Sequence, residues 1–169
     1  MTTIAEPMLN EFREETNITR RILDRVPADK LTWKPHPKSM TLGQLAIHIA
    51  VVPGRLAALA TQSDSFDVAQ ANFLPDQPKD MKEIQSAFEE SVKQAEGCLG
   101  CLTDEAARGT WRLLAKGKEV FSQPRVNVLR SIMLNHWYHH RGQLSVYLRL
   151  LDVPVPVIYG RSADESPFD

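Results

Sequence analysis

Two histidines, His136 and His140, stand four residues apart in the run Asn135-His136-Trp137-Tyr138-His139-His140-Arg141-Gly142-Gln143. Apolar residues recur around them at Leu129, Ile132/Met133, Leu144, Tyr147/Leu148 and Leu151. That spacing predicts one helix over residues 126–151. At about 100° per residue the two imidazoles are roughly 40° apart and fall on the inward-facing stripe. Ionisable rings in a core seam are costly unless something binds them. Neutral imidazole is the commonest protein ligand of divalent metals, so the pair reads as part of a metal site.

A third ring is available in His48, between Leu45 and Ile49 on an expected second helix. Its direction is the edge of that helix's apolar stripe, facing a neighbour, and bundle metal sites draw ligands from facing helices. Pro53, five residues on, is placed to kink the helix and re-aim the ring. His139 lies roughly 100° from the stripe centre, on the flank. His36, between two prolines, reads as a solvated loop residue. For each ring the plainer alternative is a hydrogen-bonded histidine with no ligand role. Gln143 follows on the same stripe and reads either as a hydrogen-bond partner of a ligand or as simple core polarity. Thr16 and Thr19 on the first helix either line the cavity or pack helices. No catalytic acid or base stands out.

The elements that must position these residues are four helices, over residues 5–26, from residue 41 onward, 80–102 and 126–151, each with apolar residues in steps of three and four. Val26-Pro27 closes the first, because a residue before proline is pushed out of the helical region. Ser39 or Thr41 is the expected N-cap of the second. The connections over residues 67–79 and 103–125 are long, and Lys116-Gly117-Lys118 is fit to turn a small hairpin. The fold class expected is all-α, a four-helix bundle with long connections, in one domain over residues 1–169.

Composition narrows the function classes. Twenty Lys+Arg against 21 Asp+Glu leave a net charge of −1, and 43% of residues are hydrophobic. The balance offers no reason to expect nucleic acid or an anionic membrane as a partner. No apolar run of ~20 residues is evident, and the N-terminus lacks a basic start followed by an apolar stretch, so the chain reads as cytoplasmic. Cys98 and Cys101 form a lone C-x2-C, read as small hydrophobes of the third helix rather than as a metal or redox motif.

Two motifs resemble a known family. Trp33-Lys34-Pro35, followed by Ser39-Met40-Thr41-Leu42-Gly43-Gln44-Leu45-Ala46-Ile47-His48, is similar to the opening motif of the DinB-like (YfiT-like) superfamily. Asn135 to Leu144 resembles its closing motif. The resemblance implies a homodimeric four-helix bundle with a divalent metal on His48, His136 and His140, the ion being zinc, nickel or iron. It further implies a metal-dependent enzyme of the thiol transferase or hydrolase type. Such an enzyme would act on a small-molecule substrate, with a low-molecular-weight thiol as co-substrate in the transferase case. A non-catalytic metal- or ligand-binding bundle, associated with stress or damage, is the alternative.

Overall fold

The four expected helices are all present in the computed structural model, which describes residues 3–168. Met1, Thr2 and Asp169 lie outside the described residues, so the extreme ends of the expected domain and the first residues of the N-terminal reading fall there. Helix α1 (Glu6–Leu23) carries Pro7 in its first turn, where a missing N–H costs nothing. It stops three residues short of the expected Val26. Helix α2 (Leu42–Gln62) starts in a capping box: the Thr41 hydroxyl accepts from the Gln44 N–H and the Gln44 side chain accepts from the Thr41 N–H, both at 3.0 Å. Helix α3 (Met81–Gly100) is capped by the Asp80 carboxylate, which accepts from the Glu83 N–H at 2.9 Å.

The last helix is not uniform. It begins as α5 (Arg125–Val128), after the short α4 (Asp104–Arg108), and widens into a π-helical stretch over Leu129–Asn135. It then resumes as α6 (His136–Leu150). A π stretch inside a helix is rare and recurs at functional sites. Here it ends where the first candidate ligand begins.

Helix α2 packs along α3 on one side and against α6 and the π stretch on the other, while α1 meets α3 and α6. Phe12, Ile22, Leu45, Ile49, Ile84, Leu99, Leu129 and Trp137 are fully buried between them. Each such side chain stabilises the fold by about 1.5–3 kcal/mol. Helix α2 is by length and composition apolar enough to cross a membrane, which the sequence reading did not find; 56% of that window is buried within the fold, as in any core helix.

The all-α expectation needs correction, because a three-stranded sheet is attached to the helices. Strands β2 (Thr110–Ala115) and β3 (Lys118–Pro124) form the antiparallel hairpin expected at Lys116-Gly117. Both turn residues have positive φ, 52° and 75°, the geometry of a two-residue hairpin turn. Strand β1 (Ser65–Asp67) then adds parallel to β2. Three residues are too few to show an alternation, so this strand left no sequence signal. Its anchor is the Asp67 carboxylate, which accepts the Lys116 and Gly117 N–H groups at 2.9 and 2.7 Å.

Candidate metal centre

His48 from α2 and His136 and His140 from α6 come together, with one nitrogen of each ring within 4.8 Å of the others. Ring centroids are 4.4 Å apart for His48–His140 and for His136–His140, and 5.3 Å for His48–His136. His140 is buried and the other two are half-buried.

The proton arrangement follows from the partners. The Nδ1 of His140 lies 2.7 Å from Gln143 Oε1, an acceptor, so the ring proton sits on Nδ1 and Nε2 carries a bare lone pair. The His136 ring has its hydrogen-bond contact at Nε2, to His140, and the two Nε2 atoms face each other at 2.6 Å. With His140 Nε2 bare, a His136 Nε2–H donates to it in the metal-free protein, and a cation bound to both nitrogens displaces that proton. The third donor, His48 Nε2, is among the described residues the buried side-chain polar atom left without a hydrogen-bond partner. An orphaned polar atom of this kind costs about 1–3 kcal/mol. Three neutral rings whose nitrogens converge within 4.8 Å, one of them with no other partner, fit one divalent cation.

Burial keeps the rings neutral. It pushes His48 and His140 from the ordinary 6.5 down to about 4, with neighbouring imidazoles adding to the effect at both, and it lowers His136 as well. The unfolded chain therefore takes up protons on His48 and His140 near pH 6.5, whereas the folded chain resists until about pH 4. Stability of the metal-free protein is thus fully present above pH 6.5 and is lost as pH falls toward 4. Thermal melts in chelator should show most of this loss between pH 6.5 and 5, above the range where carboxylates titrate. A flat melting temperature across that window would contradict the burial of the three rings.

Two tryptophans and a proline hold the cluster. Pro53 has no N–H to offer the Ile49 carbonyl four residues earlier, so that carbonyl lacks its helical donor. Trp137 Nε1 donates to it at 2.9 Å. The bond joins the residue after His48 to the residue after His136, and so fixes α2 against α6 at the site. Helix α2 runs on through Pro53, and the next N–H, that of Gly54, donates to Ser91 Oγ at 2.8 Å. Trp111 is the second anchor, donating from Nε1 to the Leu59 carbonyl at 3.3 Å and closing the sheet onto α2.

The remaining candidates separate cleanly. His139 is exposed, its ring beside His140 but outside the cluster; His36 is exposed in its loop. Gln143 supports His140, one of its two expected roles. Thr16 and Thr19 turn out to be helix-packing residues: Thr16 bonds the Phe12 carbonyl, and Thr19 accepts from Arg141 at 3.1 Å. Tyr138 and Arg141, next to the ligands in sequence, face α1, where Tyr138 donates to Glu11 and Arg141 pairs with Glu15. Cys98 is half-buried, Cys101 is exposed and both are free thiols, so only Cys98 fits the expected hydrophobic role.

A cavity of about 280 Å³ opens beside His48 and His136, walled by α2, the loop after β1, the sheet and Ile132. Phe66, Trp111 and Leu113 bring the sheet into this wall, a contribution the sequence reading missed along with Arg55 at its edge.

Comparison with known proteins places this geometry. The model of the DinB family matches residues 1–167. Uncharacterized protein YrdA of Bacillus subtilis (strain 168) is 23% identical over 163 residues, covering 93% of this chain and 89% of that protein. The crystal structure of a DinB-like protein from Bacillus cereus ATCC 10987 superposes with a TM-score of 0.68 at 26% identity, covering 93% of this chain and 98% of that one. A DinB-like protein from Bacillus subtilis, YjoA, gives a TM-score of 0.70 at 18% identity, covering 92% and 99%.

Proposed function

This chain belongs to the DinB family, and on that premise we propose that it is a metal-dependent enzyme of the thiol transferase or hydrolase type. In this reading the four long helices act as a bundle that holds one divalent ion, zinc, nickel or iron, on His48, His136 and His140. The observation that carries the proposal is the convergence of three ring nitrogens within 4.8 Å, one of them, His48 Nε2, buried without a hydrogen-bond partner. Three protein ligands leave a coordination position open, the mark of a catalytic rather than a structural site.

His48, His136 and His140 would hold the ion, which would supply Lewis-acid chemistry, lowering the pKa of a thiol or water at the site. The chain's own residues do the rest. Gln143 holds the His140 ring with its Nε2 turned inward. The Trp137–Ile49 bond keeps His48 in register with His136 and His140. Apolar side chains of the cavity wall exclude bulk water from the reacting end. Among the described residues no carboxylate lines that wall, so reactivity rests on an acidified nucleophile rather than on a neighbouring carboxylate base.

The test is turnover of a panel of small electrophiles with low-molecular-weight thiols or water, comparing zinc-, nickel- and iron-loaded protein with chelated protein. Metal-dependent turnover is expected, and Gln143→Ala should lower it by one to two orders of magnitude through looser metal binding. Absence of turnover in every metal form, with the metal bound stoichiometrically, would replace the enzyme by the non-catalytic binding bundle.

A further inference from the structure

The metal reading leaves open what occupies the cavity beside the histidines. Its volume of about 280 Å³ is close to the ~300 Å³ at which small-molecule sites begin. The wall is formed mostly by apolar side chains, among them Val52, Leu56, Leu59, Phe66 and Trp111. Its one permanently charged lining residue is Arg55, and no Asp or Glu joins it there.

Arg55 follows His48 on α2 by seven residues, two helical turns or about 10 Å along the axis, on the same face. It is exposed. Arg20, Arg125, Arg130, Arg141 and Arg149 each pair with a carboxylate. Among the described residues, Arg55 has no carboxylate within 4 Å and no side-chain hydrogen bond. Two carboxylates, Asp76 and Glu83, line the adjoining depression that Arg55 also borders; neither forms an ion pair with it, and Glu83 accepts the Lys79 N–H at 2.8 Å. Asn72 borders both depressions as well.

An unpaired guanidinium at the edge of an apolar cavity offers a planar fork of N–H donors that matches a carboxylate in two-point geometry. Low-dielectric walls strengthen its field within the cavity. We infer that the cavity takes a small molecule with an apolar body and a carboxylate end, the carboxylate on Arg55 and the opposite end directed at the three histidines. The inference rests on the proposed metal site only for which end reacts; the binding of the carboxylate does not depend on it.

The probe pair is 4-phenylbutyrate and the uncharged 4-phenylbutan-1-ol, titrated by calorimetry and by quenching of tryptophan fluorescence, since Trp111 is in the wall. Wild type and Arg55→Gln are compared in zinc-loaded and chelated forms; the exposed position keeps the variant folded, checked by thermal melt. The carboxylate is expected to bind at least tenfold more weakly to Arg55→Gln in both forms, while the alcohol changes by less than twofold. Equal carboxylate affinity in wild type and variant would overturn the assignment, as would no binding of either probe. Binding lost on chelation but indifferent to Arg55 would place the carboxylate on the ion and also overturn it. Zinc failing to bind while the Arg55 effect persists would defeat the metal reading and leave this one standing.

Discussion

Replacing His48 with leucine is expected to lower divalent-metal affinity by at least two orders of magnitude while raising the stability of the metal-free protein by about 1 kcal/mol. The two signs come from one atom. His48 Nε2 is buried and has no hydrogen-bond partner, so without an ion it is a net cost to the fold. Leucine removes that cost, roughly fills the volume and extends the apolar face formed by Leu45, Ile49 and Val52. It also removes one of three donors, which is what the metal loses. Chemical denaturation in chelator, paired with competitive metal titration, measures both quantities. A variant that is less stable without metal would mean that the ring is satisfied in solution, and an unchanged metal affinity would remove it from the site.

Replacing Glu15 with alanine is expected to destabilise the protein by about 3–5 kcal/mol, a fall in melting temperature on the order of 10 °C. Arg141 is 1% exposed, and its ion pair with Glu15 at 2.5 Å is what balances the buried charge. The Thr19 hydroxyl and the Glu15 backbone carbonyl, 3.1 and 3.3 Å away, accept further hydrogen bonds, as does the Tyr159 hydroxyl. Alanine leaves the guanidinium with neutral acceptors only. Pairing Glu15→Leu with Arg141→Met removes both charges and should recover most of the loss, since a buried pair is often no better than an apolar one of similar size. Metal affinity should be unchanged in the double variant, because this network joins α6 to α1 on the side away from the histidines. A loss below 1 kcal/mol for Glu15→Ala would show that the charge reaches water.

Arg141 also shows how far the sequence could be read. It adjoins His140, yet one step along a helix turns a side chain by about 100°, and only the packing of α1 reveals what it meets. The three-histidine cluster was legible because imidazole chemistry and helical period point to the same face at His136 and His140, and His48 lay at a plausible depth on the edge of the facing helix. The helices were legible from periodicity and from the Thr41 capping box. The hairpin was signalled by Lys116-Gly117, but β1, at three residues, carries too little pattern to be seen. The π stretch Leu129–Asn135 has no Gly or Pro to announce it. Pro53 was visible, but its consequence lies in another helix, through the carbonyl it leaves to Trp137. Arg55 looks in sequence like any solvated arginine on a helix; only the cavity wall sets it apart.

The central claim, one divalent ion on His48, His136 and His140, is tested most directly by elemental analysis of untagged protein, combined with X-ray absorption at the edge of the metal found. The account predicts close to one divalent metal per chain, with the scattering of three imidazoles and no sulfur, and loss of the metal in His140→Ala. Protein that stays metal-free after reconstitution, or a metal that His140→Ala retains in full, would contradict it.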